Sequence, residues 1–222
     1  TREEQLMKLI SLIYQPGLIT PSASERNMQI AYTAKLNSGC ISRQVGAVIT
    51  DKNFIAKSIG WNDVAKGHTP CNLRNVEDYF NGEIVNSVHY SEFEKGNITS
   101  SSDYKYKGSS VSTFKDAIID YFEEDLKLKK QELNGKNCSF CFKSIHNHYE
   151  GESNQVHTRS LHAEENAMLQ LTKSGGLGVE HGILFTTASP CELCSKKAYQ
   201  LGIRIIFYID PYPGIAVDQI LH

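Results

Sequence analysis

No stretch of this sequence approaches the roughly 18 consecutive apolar residues that a membrane span needs. Its first residues also lack the pattern of a secretory signal. A basic excess is missing too: 23 Lys and Arg stand against 25 Asp and Glu, for a net charge of −2. Chains that bind nucleic acid usually carry such an excess, because neutralising phosphates supplies most of their non-specific affinity. Local basic runs such as Lys127-Leu128-Lys129-Lys130 read as solvated helix faces. Small-molecule chemistry is therefore favoured, with no membrane and no nucleic-acid substrate expected. Internal repeats and a Walker motif are absent as well. So is an initiator Met, since the chain begins Thr1-Arg2-Glu3, which suggests a fragment or a chain whose start was removed.

What is present is 222 residues, 40 % of them hydrophobic. That is enough for one α/β domain, or for one domain carrying a large insertion. Leu6, Leu9, Ile10 and Ile13 form a short amphipathic pattern ended by Pro16-Gly17. Ser22-Ala23-Ser24-Glu25 is a capping box, and it predicts a helix with Met28, Ala31, Tyr32 and Leu36 on one face. Residues 44–50 and 54–61 read as the strands of a hairpin around Asp51-Lys52-Asn53. The pattern then fades from about 63 to 110. A helical period returns over 113–134, and 138–149 is expected to be irregular. The last third alternates: helix 161–172, strand 183–187, a helix from Pro190, strand 203–209. These elements predict an α/β fold of three layers, α/β/α, with a mixed sheet. We divide the chain into an N-terminal extension or linker (1–24) and one domain (25–222) with an insertion at about 76–157.

The six cysteines include two Cys-x-x-Cys pairs, Cys138/Cys141 and Cys191/Cys194. In a chain without a secretion signal such pairs point to metal or redox chemistry in a reducing, cytoplasmic setting. His162-Ala163-Glu164 opens one predicted helix, and Pro190-Cys191-Glu192-Leu193-Cys194 opens the next. His162, Cys191 and Cys194 offer zinc three ligands and leave a fourth position open, as a catalytic site requires. Pro190 suits the first turn of a helix, whose positive end favours thiolates three residues apart. Glu164 leaves the helix in another direction, so it can act as a proton carrier instead of a ligand. The order His-x-Glu…Pro-Cys-x-x-Cys is the recognised signature of zinc nucleobase deaminases.

Around these residues the sequence resembles the deoxycytidylate deaminase branch of the cytidine deaminase superfamily. The resemblance includes Ser42-Arg43-Gln44-Val45-Gly46-Ala47-Val48-Ile49, Gly60-Trp61-Asn62, the stretch Leu161 to Ala167, and Thr187 to Cys194. It covers about 25–75 and 158–214. It implies a cytidine-deaminase-like fold and hydrolysis of dCMP or dCTP to the deoxyuridine nucleotide and ammonia, with Glu164 catalytic and Zn2+ held by His162, Cys191 and Cys194. It further implies that Asn62 meets the sugar, that the backbone of Ala163 and Ser189 reads the cytosine edge, that Tyr212 closes the site and that Arg43 meets phosphate. A homo-oligomer and an allosteric deoxynucleotide are further expectations. Cys40-Ile41-Ser42-Arg43 and Gly60-Trp61-Asn62-Asp63-Val64 look most like the deaminase domain of bacterial anti-phage deoxycytidylate deaminases, which deplete deoxycytidine nucleotides during infection. The long interval from Asn62 to His162 departs from that pattern. A deaminase acting on a base in tRNA or another polynucleotide, and a non-catalytic nucleotide sensor, are the competing readings.

The other four cysteines suggest a second, structural zinc. Cys138/Cys141 has the spacing of half such a site, in an insertion expected to have little core of its own. Cys40 and Cys71 flank the hairpin in loop-like positions, and four thiolates would close a tetrahedron. His146, His148 or His68 could replace either lone cysteine.

Overall fold

The computed structural model describes all residues except 98–105, 107–110, 124–132, 152, 174, 177, 212–215, 217–219 and 221–222. Two helices come first, α1 (Arg2–Tyr14) and α2 (Ala23–Ala34), each begun by a capping box: Thr1 with Glu4, then Ser22 with Glu25. The reciprocal bonds satisfy amides that the first helical turn leaves open. Strands β1 (Gly46–Thr50) and β2 (Ala56–Trp61) form the antiparallel hairpin. β3 (Asp63–Val64) pairs with β4 (Ser160–Leu161) and closes the base of a long excursion. That excursion carries α3 (Glu77–Phe80), α4 (Phe114–Phe122) and α5 (Phe142–Glu150). The chain then alternates through α6 (Ala163–Lys173), β5 (Ile183–Ala188), α7 (Glu192–Gln200) and β6 (Ile205–Asp210).

The main sheet runs β2-β1-β5-β6, with β1 antiparallel to both neighbours and β5 parallel to β6. Alternation along the strands sorts the core into two halves. Val48, Ile183 and Phe185 pack with Ala31 of α2. Ala47, Ile49 and Leu184 pack with Ala163, Ala167 and Leu171 of α6 and with Ala198 of α7. This is the three-layer α/β/α arrangement with a mixed sheet. Two glycines set the layer spacing. A methyl on Gly46 would lie 2.0 Å from the Ala31 carbonyl oxygen, and one on Gly60 would lie 2.4 Å from that of Ala163. Any side chain there would force helix and strand apart.

Several local expectations need correction. Tyr32 and Leu36 are exposed; the sheet takes Ala31, and the helix has given way to a 3-10 turn by Lys35. The 142–150 segment is helical, not irregular. The excursion has a core of its own, containing Val76, Tyr79, Ile84, Phe114, Ile118, Phe140 and Ile145. Inside it, the fully buried Arg74 pairs with Glu94 and lies between the rings of Tyr90 and Phe140, at 4.7 and 4.5 Å. The apolar contacts are spread over sequence intervals too irregular for a period to reveal them. Among the described residues no helix is long and apolar enough to cross a membrane.

Candidate active site

β4 delivers the chain to His162, whose carbonyl accepts the Asn166 amide and so starts α6. The His162 amide donates to the Glu165 carboxylate at 3.0 Å, a capping arrangement. Lys197 of α7 also bonds to Glu165, which ties together the two helices that carry the site. Burial opposes the Glu165 charge, yet the bonds from Lys197 and the His162 amide hold its carboxyl below the usual range. Asn166 donates to the Trp61 carbonyl at 2.7 Å and pins α6 to β2. On the neighbouring helix of the same layer, Cys191 is the N-cap of α7 and Cys194 sits in its first turn, where the helix dipole favours negative charge.

His162, Cys191 and Cys194 are brought together, their ligand atoms lying within 4.8 Å of one another. His162 Nδ1 is 3.4 Å from each sulfur. At the tetrahedral angle, zinc bonds of about 2.3 Å to sulfur and about 2.0 Å to nitrogen place those atoms about 3.5 Å apart. The observed edges fit that ion. The charge state fits as well. The Cys194 thiol donates to Cys191 and, with His162 beside it, brings Cys191 down to about 4 against the effect of burial. Cys194 is pushed up, by its bond to Cys191 and by burial. Its partner Cys191 raises His162.

Glu164 is buried beside this group, and burial raises its carboxyl above the usual range. Thr186 of β5 donates to its Oε1 at 2.9 Å. Glu164, His162 and Cys191 line a cavity of about 290 Å³.

Residues 116–210 match the family model described as "Cytidine and deoxycytidylate deaminase zinc-binding region". The chain resembles that region over less than half of its length. It is 26% identical over 186 residues to the deoxycytidylate deaminase of Enterobacteria phage T2, covering 83% of this chain and 78% of that protein. The phage T4 deoxycytidylate deaminase is likewise 26% identical, over 185 residues, with 83% and 76% covered. The solved dCMP deaminase of cyanophage S-TIM5, in apo form, is 21% identical, with a TM-score of 0.47 and coverage of 91% and 94%. The two phage relatives bear the name of the branch that the sequence resembles.

Other residues expected at the deaminase site are placed as follows. Arg43, Asn62, Ala163 and Ser189 all line the cavity. Asn62 also braces the wall, for its Oδ1 accepts the Val45 amide and its Nδ2 donates to the Arg43 carbonyl, both at 2.7 Å. It thereby latches the loop that presents Arg43. Arg43 itself is 3.6 Å from Asp210. The Ser189 amide is bonded to the Asp210 carbonyl at 2.8 Å, which ties the cavity wall to β6. Tyr212 lies outside the described residues.

The four remaining cysteines do not form a ligand group. Among the described residues only His162, Cys191 and Cys194 bring their ligand atoms that close. Cys40, Cys71 and Cys141 line the cavity, but Cys71 takes a bond from Arg159 at 3.6 Å and Cys138 is part of the excursion's apolar core. His146 is buried against Tyr106, 2.9 Å from its hydroxyl, and His148 packs on Tyr121.

Sequence reasoning missed Lys143 and Arg159, both on the cavity wall. Lys143 donates to a neutral amide, that of Gln155, at 2.8 Å. Arg159 shares Glu94 with the fully buried Arg74, so two guanidiniums face one carboxylate. No spacing rule links either residue to His162, because the excursion's fold delivers them. Glu165 was missed as well, although a carboxylate three residues after a helix start is a capping signal that points to it.

Proposed function

We propose that this chain is a hydrolytic deaminase of free deoxycytidine nucleotides, dCMP foremost. The observation that carries the reading is a buried proton carrier, Glu164, beside a three-ligand zinc group in a cavity that also holds Arg43, Lys143 and Arg159. When bound, zinc supplies a water acidic enough near pH 7 to act as a nucleophile. Glu164 accepts a proton from the attacking water and delivers it to the ring nitrogen N3 of cytosine. Carbon 4 gains the oxygen and loses its amino group as ammonia, so cytosine plus water gives uracil plus ammonia. The burial that raises Glu164 suits a group that must act as base and then as acid near neutrality. The three cations on the wall complement a 5′-phosphate. The phage relatives named deoxycytidylate deaminases support the same substrate class.

Ammonia release from the zinc-loaded protein, measured with dCMP, dCTP, deoxycytidine and single-stranded DNA, tests this proposal. The expected order is free nucleotides first, deoxycytidine weaker and DNA inert. Turnover of DNA alone would assign the chain to polynucleotide deaminases.

A second zinc belongs to the proposal too. Cys40, Cys71 and Cys141 share the cavity wall, and Cys138 is held nearby through its amide bond to Asn75. The sulfurs must turn to meet on one ion. Metal analysis of the wild-type protein should give two zinc ions per chain, and the Cys138→Ser/Cys141→Ser variant one; a single zinc in the wild type rules the second site out. Finer proposals are division at about residue 25 with an insertion at 76–157, action in the cytoplasm, assembly into a homo-oligomer, regulation by a second deoxynucleotide, and depletion of nucleotides in anti-phage defence.

A further inference from the structure

We infer that Thr186 is the residue that positions Glu164 for proton transfer, by a hydroxyl bond that fixes the rotation of its carboxylate. This rests on the proposed deaminase reading. Thr186 is fully buried on β5, with its backbone held on both sides: it pairs with Ala47 of β1 and Tyr208 of β6. Its Oγ1 lies 2.9 Å from Glu164 Oε1 and 2.9 Å from the Ala188 carbonyl oxygen. A hydroxyl carries one proton and two acceptor lone pairs, so it cannot donate to both at once. While Glu164 is a carboxylate, Thr186 donates to it.

The arrangement supplies what the rest of the site does not. The backbone of α6 is already fixed, by Asn166 on Trp61 and by the close approach to Gly60. What remains is the rotation of the Glu164 side chain. Holding Oε1 on the sheet leaves Oε2 as the oxygen for the reacting groups. The Ala188 carbonyl stands one residue before Ser189-Pro190-Cys191, so the same hydroxyl joins the proton carrier to the loop that presents a metal ligand. Thr187, next in the strand, faces the other way and accepts the Gly46 amide at 3.1 Å.

The test compares Thr186→Val, which keeps the shape, with Thr186→Ser and Thr186→Ala, which both lack the methyl and differ from each other only in the hydroxyl. With dCMP, kcat should fall about tenfold or more in Thr186→Val and in Thr186→Ala, with KM and zinc content unchanged, and Thr186→Ser should return to within about threefold of wild type. Should Thr186→Val fail to fold, the Ser and Ala pair decides. Infrared difference spectra against Glu164→Gln give a readout that needs no turnover: the Glu164 carboxyl band should move in Val and Ala and stay in place in Ser. An inactive wild type would count against the deaminase reading while these spectra still judge Thr186. Equal kcat in the Ser and Ala variants, or an unmoved band in Thr186→Val, overturns the inference.

Discussion

His162, Cys191 and Cys194 differ from Glu164 in what their loss should do. The first three are held at tetrahedral edge distances, and the fourth is held by Thr186 off that group. Replacing His162 or Cys194 by Ala leaves two ligands, so zinc content and turnover should fall together. Replacing Glu164 by Gln keeps the ligands, so zinc should stay. Metal analysis by mass spectrometry separates the two classes; loss of zinc from Glu164→Gln would make Glu164 a ligand. These four residues were legible because each is fixed by a short, local spacing at a helix start. Asn62 was only half legible. Its type and place after the hairpin brought it to the cavity wall, but its latch on Arg43 and Val45 depends on how a loop folds back. Lys143 and Arg159 were not legible, because nothing local relates them to His162.

Elements with regular alternation were the readable ones. The hairpin, α6, β5, α7 and β6 are short apolar runs or helical periods in regular succession, which predicts a mixed sheet, while the order β2-β1-β5-β6 comes from the structure. The excursion was not readable, since its core draws on Val76, Ile84, Phe114 and Phe140 across irregular intervals. α1 is the opposite case: a clear amphipathic pattern with no buried residue. It is tied to α2 by the Lys8–Glu25 pair at 2.6 Å. The bond from Lys8, with the Ser22 cap, lowers Glu25 from the usual carboxylate range to about 2. A lowered carboxyl contributes stability above its unfolded pKa and loses it as pH falls through the folded value. Docking of α1 should therefore hold at neutral pH and weaken from about pH 5 towards pH 2. Hydrogen exchange of the α1 amides, corrected for intrinsic rates, should show this, and Lys8→Met should flatten the dependence. A wild-type profile unchanged across that range would mean that α1 is held by something else. The pair is exposed, so added salt should weaken it too.

Over the whole molecule, two cores meet at one cavity. The α/β/α layers supply the zinc group, Glu164 and Thr186, while the excursion supplies Lys143 and Cys141, and its flanks Cys71 and Arg159. The layered core accounts for the chemistry, and the excursion adds the positive wall that suits a nucleotide. The central claim is that this cavity deaminates dCMP with Glu164 as the proton carrier. The direct measurement is conversion of dCMP to dUMP and ammonia by zinc-loaded wild-type protein, beside Glu164→Gln carrying the same zinc. The account predicts steady turnover by the wild type and a loss of about 10²-fold or more in the variant. No dUMP from the wild type, or a variant within tenfold of it, would contradict the account.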